Sequence, residues 1–321
     1  MAMRKITVLA VVMLLVLAAL TLGLRFRPSS TERRVAHGIT VVASLFPQYD
    51  FARQIVGGEG TVLLLLPPGT ESHTFDPRPS DMATIESADI FIYTGDFLEH
   101  WAGRLVAGLG SKRPLVVDAS RGIELLTEAH GHEEHDHGDC REHDHGGFDP
   151  HFWLDPTKAA AMVRNVEEAI VSVDPDNADV YRRNADALVR SLEMLDADAV
   201  SVVLGGSRRT LVFGGRFAYR YFLERYELEW LSAYASCGAH DEPSVREVAR
   251  IIDYMKKNDI PCVYHEEFVE PKVARTIAEA SGAELLLFST AHNVTKDDLD
   301  RGVTFVDVMR RNLANLKKGL D

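Results

Sequence analysis

Short apolar runs rich in β-branched residues alternate with helix-length segments along most of this chain. That alternation restricts it to an α/β fold with parallel strands. Residues 39–46 (ITVVASLF) read as a buried strand ended by Pro47, and 48–56 as a helix stopped by Gly57–Gly58. Residues 62–66 read as a second strand, ended by Pro67–Pro68–Gly69. A helix over 80–88, a strand over 90–93, a helix over 97–109 and a strand over 115–117 follow. Residues 177–199 form a long helical stretch after Asp174–Pro175, with Tyr181, Ala185, Leu188, Leu192 and Leu195 at helical spacing. The alternation then restarts, with strands over 210–213, 262–264 and 285–288 and helices over 217–226, 245–258, 271–281 and 303–319. The pattern predicts two α/β lobes with parallel sheets, joined by a long rigid helix. Ligand sites in such sheets belong at the carboxyl ends of the strands.

The chain has 321 residues, 46% hydrophobic and 26% charged, which is enough apolar material for two packed cores and excludes a disordered chain. Its net charge of −13 excludes a nucleic-acid binder, which would need a basic face. Residues 1–36 run against that balance. They carry Arg4, Lys5, Arg25, Arg27, Arg33 and Arg34 against the single acid Glu32. Between the basic ends lie 19 uncharged residues, 6–24, long enough as a helix to reach about 28 Å, near the thickness of a bilayer core. This segment is either an uncleaved membrane anchor or a cleaved export signal, and both place the body outside the cytoplasm. The expected organisation is a targeting or anchoring segment with linker (1–36), a first lobe (37–174), a connecting helix (175–205) and a second lobe (206–321).

Seven of the 13 histidines fall between His130 and His151, most of them in the acidic stretch HGHEEHDHGDCREHDHGG. Without apolar periodicity, 130–147 reads as a solvated loop whose imidazoles and carboxylates attract zinc, copper or nickel weakly and exchangeably. Cys140 is either a further soft ligand or a free thiol. Two other histidines sit where prolines and aromatics can fix a ring: His73 in ESHTFDP and His151 in DPHFWLDP. Asp149 or Asp155 could hold the outer nitrogen of His151. Cys237 and Cys262 form either a disulfide or reduced buried thiols. The glycine pairs Gly205–Gly206 and Gly214–Gly215 lack a phosphate-loop lysine and read as turns. No Gly-x-Ser-x-Gly elbow and no His-Glu-x-x-His helix is present.

Together these segments resemble the zinc and manganese solute-binding proteins of bacterial ABC transporters, the high-affinity zinc-uptake type. The matching stretches are 44–50 (SLFPQYD), 69–79 (GTESHTFDPRP), 93–101 (YTGDFLEHW), 151–156 (HFWLDP) and 242–244 (EPS), in the order found in that family and spanning about 37–321. The resemblance implies metal held between the lobes, His73 and His151 as first-lobe ligands, and an ABC permease with its ATPase as partners. Zinc is the expected ion and a monomer the expected state, with the membrane met through the N-terminal segment. Two departures stand out. Arg216 occupies the position of the family's third histidine, and a guanidinium cannot ligate metal. The stretch 288–293 (FSTAHN) replaces the family's Asp-Pro-Leu-Gly element. His292 is therefore the first choice for a second-lobe ligand and Glu266 the second, with His265, Glu242 and His240 also open. Arg216 pairs with a nearby carboxylate or binds an anion. Three imidazoles and one carboxylate favour zinc over manganese, which prefers more oxygen ligands. Neutral imidazoles are required, so affinity is expected to fall below about pH 6. A zinc hydrolase, with Glu266 as general base, and a metal-dependent adhesin are the alternative readings of the same cleft.

Overall fold

A computed structural model describes residues 38–73, 75–95, 97–99, 101–103, 114–127, 147–234 and 243–321. Two four-stranded sheets organise the chain, and every pairing within them is parallel. The first contains β1 (Ile39–Ala43), β2 (Gly60–Leu64), β3 (Ile90–Tyr93) and β4 (Leu115–Asp118) in the order β2-β1-β3-β4. The second contains β5 (Thr210–Phe213), β6 (Glu229–Ser232), β7 (Cys262–His265) and β8 (Glu284–Leu287) in the order β6-β5-β7-β8. The two orders are the same winding, although the sequence shows no repeat. Each reverses direction between its first and third strands, so a crevice opens at the carboxyl ends there.

Burial explains the strand composition. Val41, Val42, Ile90, Phe91 and Ile92 are fully buried, as expected for strands covered on both faces. Edge strand β2 instead alternates between half-buried and exposed residues. The helix Ala178–Gly205 buries Tyr181, Ala185, Leu188, Leu192, Leu195, Ala199 and Val203, one stripe at helical spacing. That stripe packs against the helices Phe46–Val56, Pro156–Val173 and Phe305–Leu320, which come from both halves of the chain. One apolar core therefore includes strand residues of both sheets, among them Val41, Ile92, Phe213 and Tyr264.

Several boundaries differ from expectation. Pro47 does not end a strand over 39–46; β1 stops at Ala43 and Pro47 opens the helix Phe46–Val56, where a missing N–H costs nothing. The 18-residue helix Pro156–Val173 was not anticipated. Asp155 caps it, accepting from Thr157 N at 2.8 Å, and Pro156 occupies its first turn. Strand β6 was also not anticipated. The helix expected over 217–226 shrinks to Arg220–Arg225 because Phe217 and Tyr219 stack on Trp230 and Phe213 instead, with centroids 5.5 and 4.6 Å apart. The segments 6–24 and 130–146, with Cys140, lie outside the described residues, as do 104–109 of the expected helix over 97–109 and Cys237. Cys262 is a buried free thiol, 3.7 Å from the Tyr264 hydroxyl. Among the described residues no helix is long and apolar enough to cross a membrane.

A buried polar cluster sits at the β1/β3 crevice. Glu99 accepts from the Ser44 hydroxyl and from Thr94 N at 2.9 Å, and Gln48 Nε2 donates to Thr94 Oγ1 at 2.6 Å. Burial pushes the Glu99 carboxyl up to about 7 against these hydrogen bonds, from an ordinary 4.5. Because the folded value lies above the unfolded one, folding takes up a proton between those limits. Stability from this group is complete below about pH 4.5 and lost as pH rises through 7. Relative to Glu99→Gln, the wild type is expected to lose about 3 kcal/mol over that window. Urea denaturation of both proteins at pH 4.5 and 7.5 measures it, and a difference independent of pH would overturn the assignment.

Candidate metal centre

Three loops at the carboxyl ends of strands, or leading into a helix, bring one histidine each to the same place. His73 follows β2. Its loop begins with a turn in which Gly69 adopts φ 77°, a conformation that favours glycine, and Gly69 N donates to Val294 O at 2.9 Å. Glu71 Oε1 accepts from His73 N at 3.0 Å and fixes the loop locally. His151 lies between an isolated bridge, Thr127 to Phe148, and the 3₁₀ turn Phe152–Leu154. Asp149 Oδ1 accepts from His151 N at 3.0 Å and lies 2.7 Å from His151 Nδ1. Asp149, not Asp155, is therefore the partner of the outer nitrogen; Asp155 is committed to its helix cap and to Arg225, 3.3 Å away.

His292 follows β8. Phe46 N donates to its carbonyl at 3.0 Å, and Asn293 Nδ2 donates to Pro67 O and Thr70 O at 2.8 and 2.9 Å. Ala291, just before it, has φ 57°, which costs a non-glycine residue about 1–2 kcal/mol. Trp153, fully buried, lies edge-on to both inner histidines, with centroids 5.5 Å from His151 and 5.2 Å from His292.

The three rings converge, with centroids 6.0 Å apart for His73 and His151, 5.1 Å for His73 and His292, and 4.8 Å for His151 and His292. One nitrogen from each lies within 4.8 Å of the others. Zinc–nitrogen bonds of about 2.0–2.1 Å put tetrahedral ligand atoms about 3.4 Å apart, so small ring rotations reach coordination distance. His151 and His292 are only 1% and 7% exposed, whereas His73 is half-buried.

Glu266 is placed differently. It is 8% exposed and lines a solvent-open pocket with His73, His292, Arg216 and Glu267, but it is not part of the three-histidine cluster. A side chain at Gly215 would meet its Oε2 at 1.7 Å, so glycine is what gives this carboxylate its place. Burial pushes the Glu266 carboxyl up, against the opposing influence of Arg216. Arg216 Nη1 lies 3.7 Å from Glu71 Oε1, which settles the pairing with a carboxylate. His265 is not in the cluster; its Nδ1 lies 2.7 Å from the Glu266 carbonyl. His240 and Glu242 lie outside the described residues.

Sequence reasoning missed two residues that hold His292. Thr290 Oγ1 lies 2.5 Å from His292 Nδ1. Glu267 accepts from Thr290 Oγ1 at 2.7 Å and from Thr290 N at 2.8 Å. A threonine two residues before a candidate histidine was the available signal; Glu267, distant in sequence, offered none.

The chain matches the family model for the periplasmic component A of the zinc-uptake complex (ZnuA) over residues 41–319. It is 34% identical over 280 residues to the high-affinity zinc uptake system protein ZnuA of Bacillus subtilis, covering 87% of each. It is 30% identical over 293 residues to the zinc-binding lipoprotein AdcA of Streptococcus pneumoniae, covering 91% of this chain but 58% of AdcA. Among solved structures, the Zn(II)-bound ZnuA-like domain of S. pneumoniae AdcA superposes with a TM-score of 0.73 at 27% identity, covering 88% of this chain and 99% of the other. With one family model spanning both sheets and the histidine site between them, the chain belongs to the zinc-uptake component A family of periplasmic proteins.

Proposed function

We propose that this protein captures one zinc ion outside the cytoplasm and delivers it to an ABC permease driven by a cytoplasmic ATPase. The observation that carries the reading is the meeting of His73, His151 and His292 from three separate loops. A set of neutral imidazoles suits zinc and disfavours manganese. Glu266 is the proposed oxygen donor for the fourth position, reaching it from the Gly215 side of the cavity. The names of the relatives, high-affinity zinc uptake and zinc-binding, support the same ion. The action is capture and release without turnover, in keeping with a family of transport components.

Because all three imidazoles come from one chain, a monomer suffices. Residues 1–36 serve as export signal or anchor, 37–174 and 206–321 as the two lobes, and 175–205 as the connection. The loop 130–147 collects zinc at weak sites and passes it to the cleft. The outer carboxylate on His151 Nδ1 keeps the proton there and the metal-facing nitrogen basic.

Zinc and manganese titrations of the protein lacking 130–147 test the reading. One tight zinc equivalent is expected, with manganese weaker, and the tight site is lost in His73→Ala, His151→Ala and His292→Ala. Undiminished tight binding in the His151 and His292 variants would sink the three-histidine site. Asp149→Asn is expected to weaken zinc binding about 10–100-fold, read by chelator competition. Unchanged affinity in that variant would show that Asp149 does not tune the ligand.

A further inference from the structure

We propose that Glu267 and Thr290 are positioning residues that set the tautomer of His292 and so make its Nε2 available to metal. The inference rests on the three-histidine reading and concerns what holds the third imidazole ready.

Thr290 is a node. Its backbone N donates to Glu267 Oε2 at 2.8 Å and its hydroxyl donates to Glu267 Oε1 at 2.7 Å. Its carbonyl accepts from Trp153 Nε1 at 2.9 Å. Its Oγ1 lies 2.5 Å from His292 Nδ1. A hydroxyl carries one hydrogen. With that hydrogen committed to Glu267, Oγ1 can only accept from the imidazole. The proton of neutral His292 then sits on Nδ1 and the lone pair on Nε2. The Nε2 atoms of His151 and His292 are both buried. His151 reaches the same tautomer by a shorter route, from Nδ1 straight to the Asp149 carboxylate at 2.7 Å. At His292 the hydroxyl is inserted between ring and carboxylate, so the carboxylate acts through another group.

The polarity of this relay can be reversed without changing its shape. In Glu267→Gln, the fixed N–H of Thr290 selects the amide oxygen as its acceptor. The amide NH₂ is then left facing Oγ1 and donates to it. The hydroxyl hydrogen is released toward His292 Nδ1, which must become the acceptor, and the proton moves to Nε2. The variant thus presents an N–H to the metal. Thr290→Val deletes the relay and leaves the ring free to choose its tautomer. Thr290→Ser keeps it.

The test is zinc affinity of the full chain in detergent, measured against a chelator strong enough to silence weak sites, with ¹⁵N-histidine spectra assigned through His292→Ala. Thr290→Ser is expected to bind like the wild type. Thr290→Val should bind about 10-fold more weakly and Glu267→Gln about 100-fold more weakly. In the metal-free Glu267→Gln protein the His292 proton should move from Nδ1 to Nε2. A merely structural role would track the loss of thermal stability and would leave the tautomer unchanged. Wild-type affinity in both Thr290→Val and Glu267→Gln, with His292→Ala still losing zinc, overturns the relay alone. Wild-type affinity in His292→Ala overturns the three-histidine reading beneath it. Should Glu267→Gln fail to fold, the Thr290 pair decides, and equal affinity in Ser and Val overturns the proposal.

Discussion

The site depends on a short seam in which the segment after β8 is hydrogen-bonded to the opposite half of the chain. Phe46 N reaches the His292 carbonyl, Gly69 N reaches Val294 O, Asn293 Nδ2 spans Pro67 O and Thr70 O, and Trp153 Nε1 reaches Thr290 O. Each such bond contributes only about 0.5–1.5 kcal/mol net. Together they outweigh the cost of Ala291 in a left-handed conformation. The same few residues thereby close the molecule and deliver the third imidazole. His73 and His151 belong to the first half, so without the seam the histidines would be a pair rather than a triad.

Around the triad the carboxylates are placed to orient the imidazoles from behind. Asp149 and Glu267 stand behind the rings, one directly and one through Thr290. Glu71 is engaged twice, by the His73 backbone and by Arg216. Burial raises the carboxyls of Glu266 and Glu267, and hydrogen bonds from the chain itself oppose the rise. A divalent ion entering this space would supply the charge that these buried carboxylates lack, which is a reason for them to be tolerated there.

How much of this was legible follows from the physics of each feature. The strands and the buried stripe on Ala178–Gly205 could be read because burial on both faces and 3.6-residue periodicity leave plain marks. The helix Pro156–Val173 could have been read as well. Ala159, Met162, Val163, Val166, Ala169 and Ile170 form a regular face, and the Asp155–Pro156 pair is a helix start. Strand β6 (EWLS) has only two apolar residues in succession between a glutamate and a serine, so it lacks the apolar run that marks the other strands. His73 and His151 declared themselves through rigid flanking residues. Asp149 and Asp155 looked equivalent, because only the three-dimensional path of the turn decides which faces the ring. Glu267 and Thr290 lie 23 residues apart and meet through the β7–β8 pairing, which no local pattern encodes.

The geometry of the second half brings an arginine, a carboxylate and a histidine from separate loops to one place. Loops after β5, β7 and β8 all line one cavity, holding Arg216, Glu266 and His292 respectively. An imidazole contributed from any of them would face the same space, so the donor need not stay at one sequence position. The set that meets here is two rings from the first half and one from the second. Arg216 pairs with Glu71, which at the same time steadies the His73 backbone. The guanidinium of Arg216 therefore leaves the meeting of the three imidazoles intact. It anchors the half-buried histidine, while the seam, rather than the loop after β5, brings the third imidazole in.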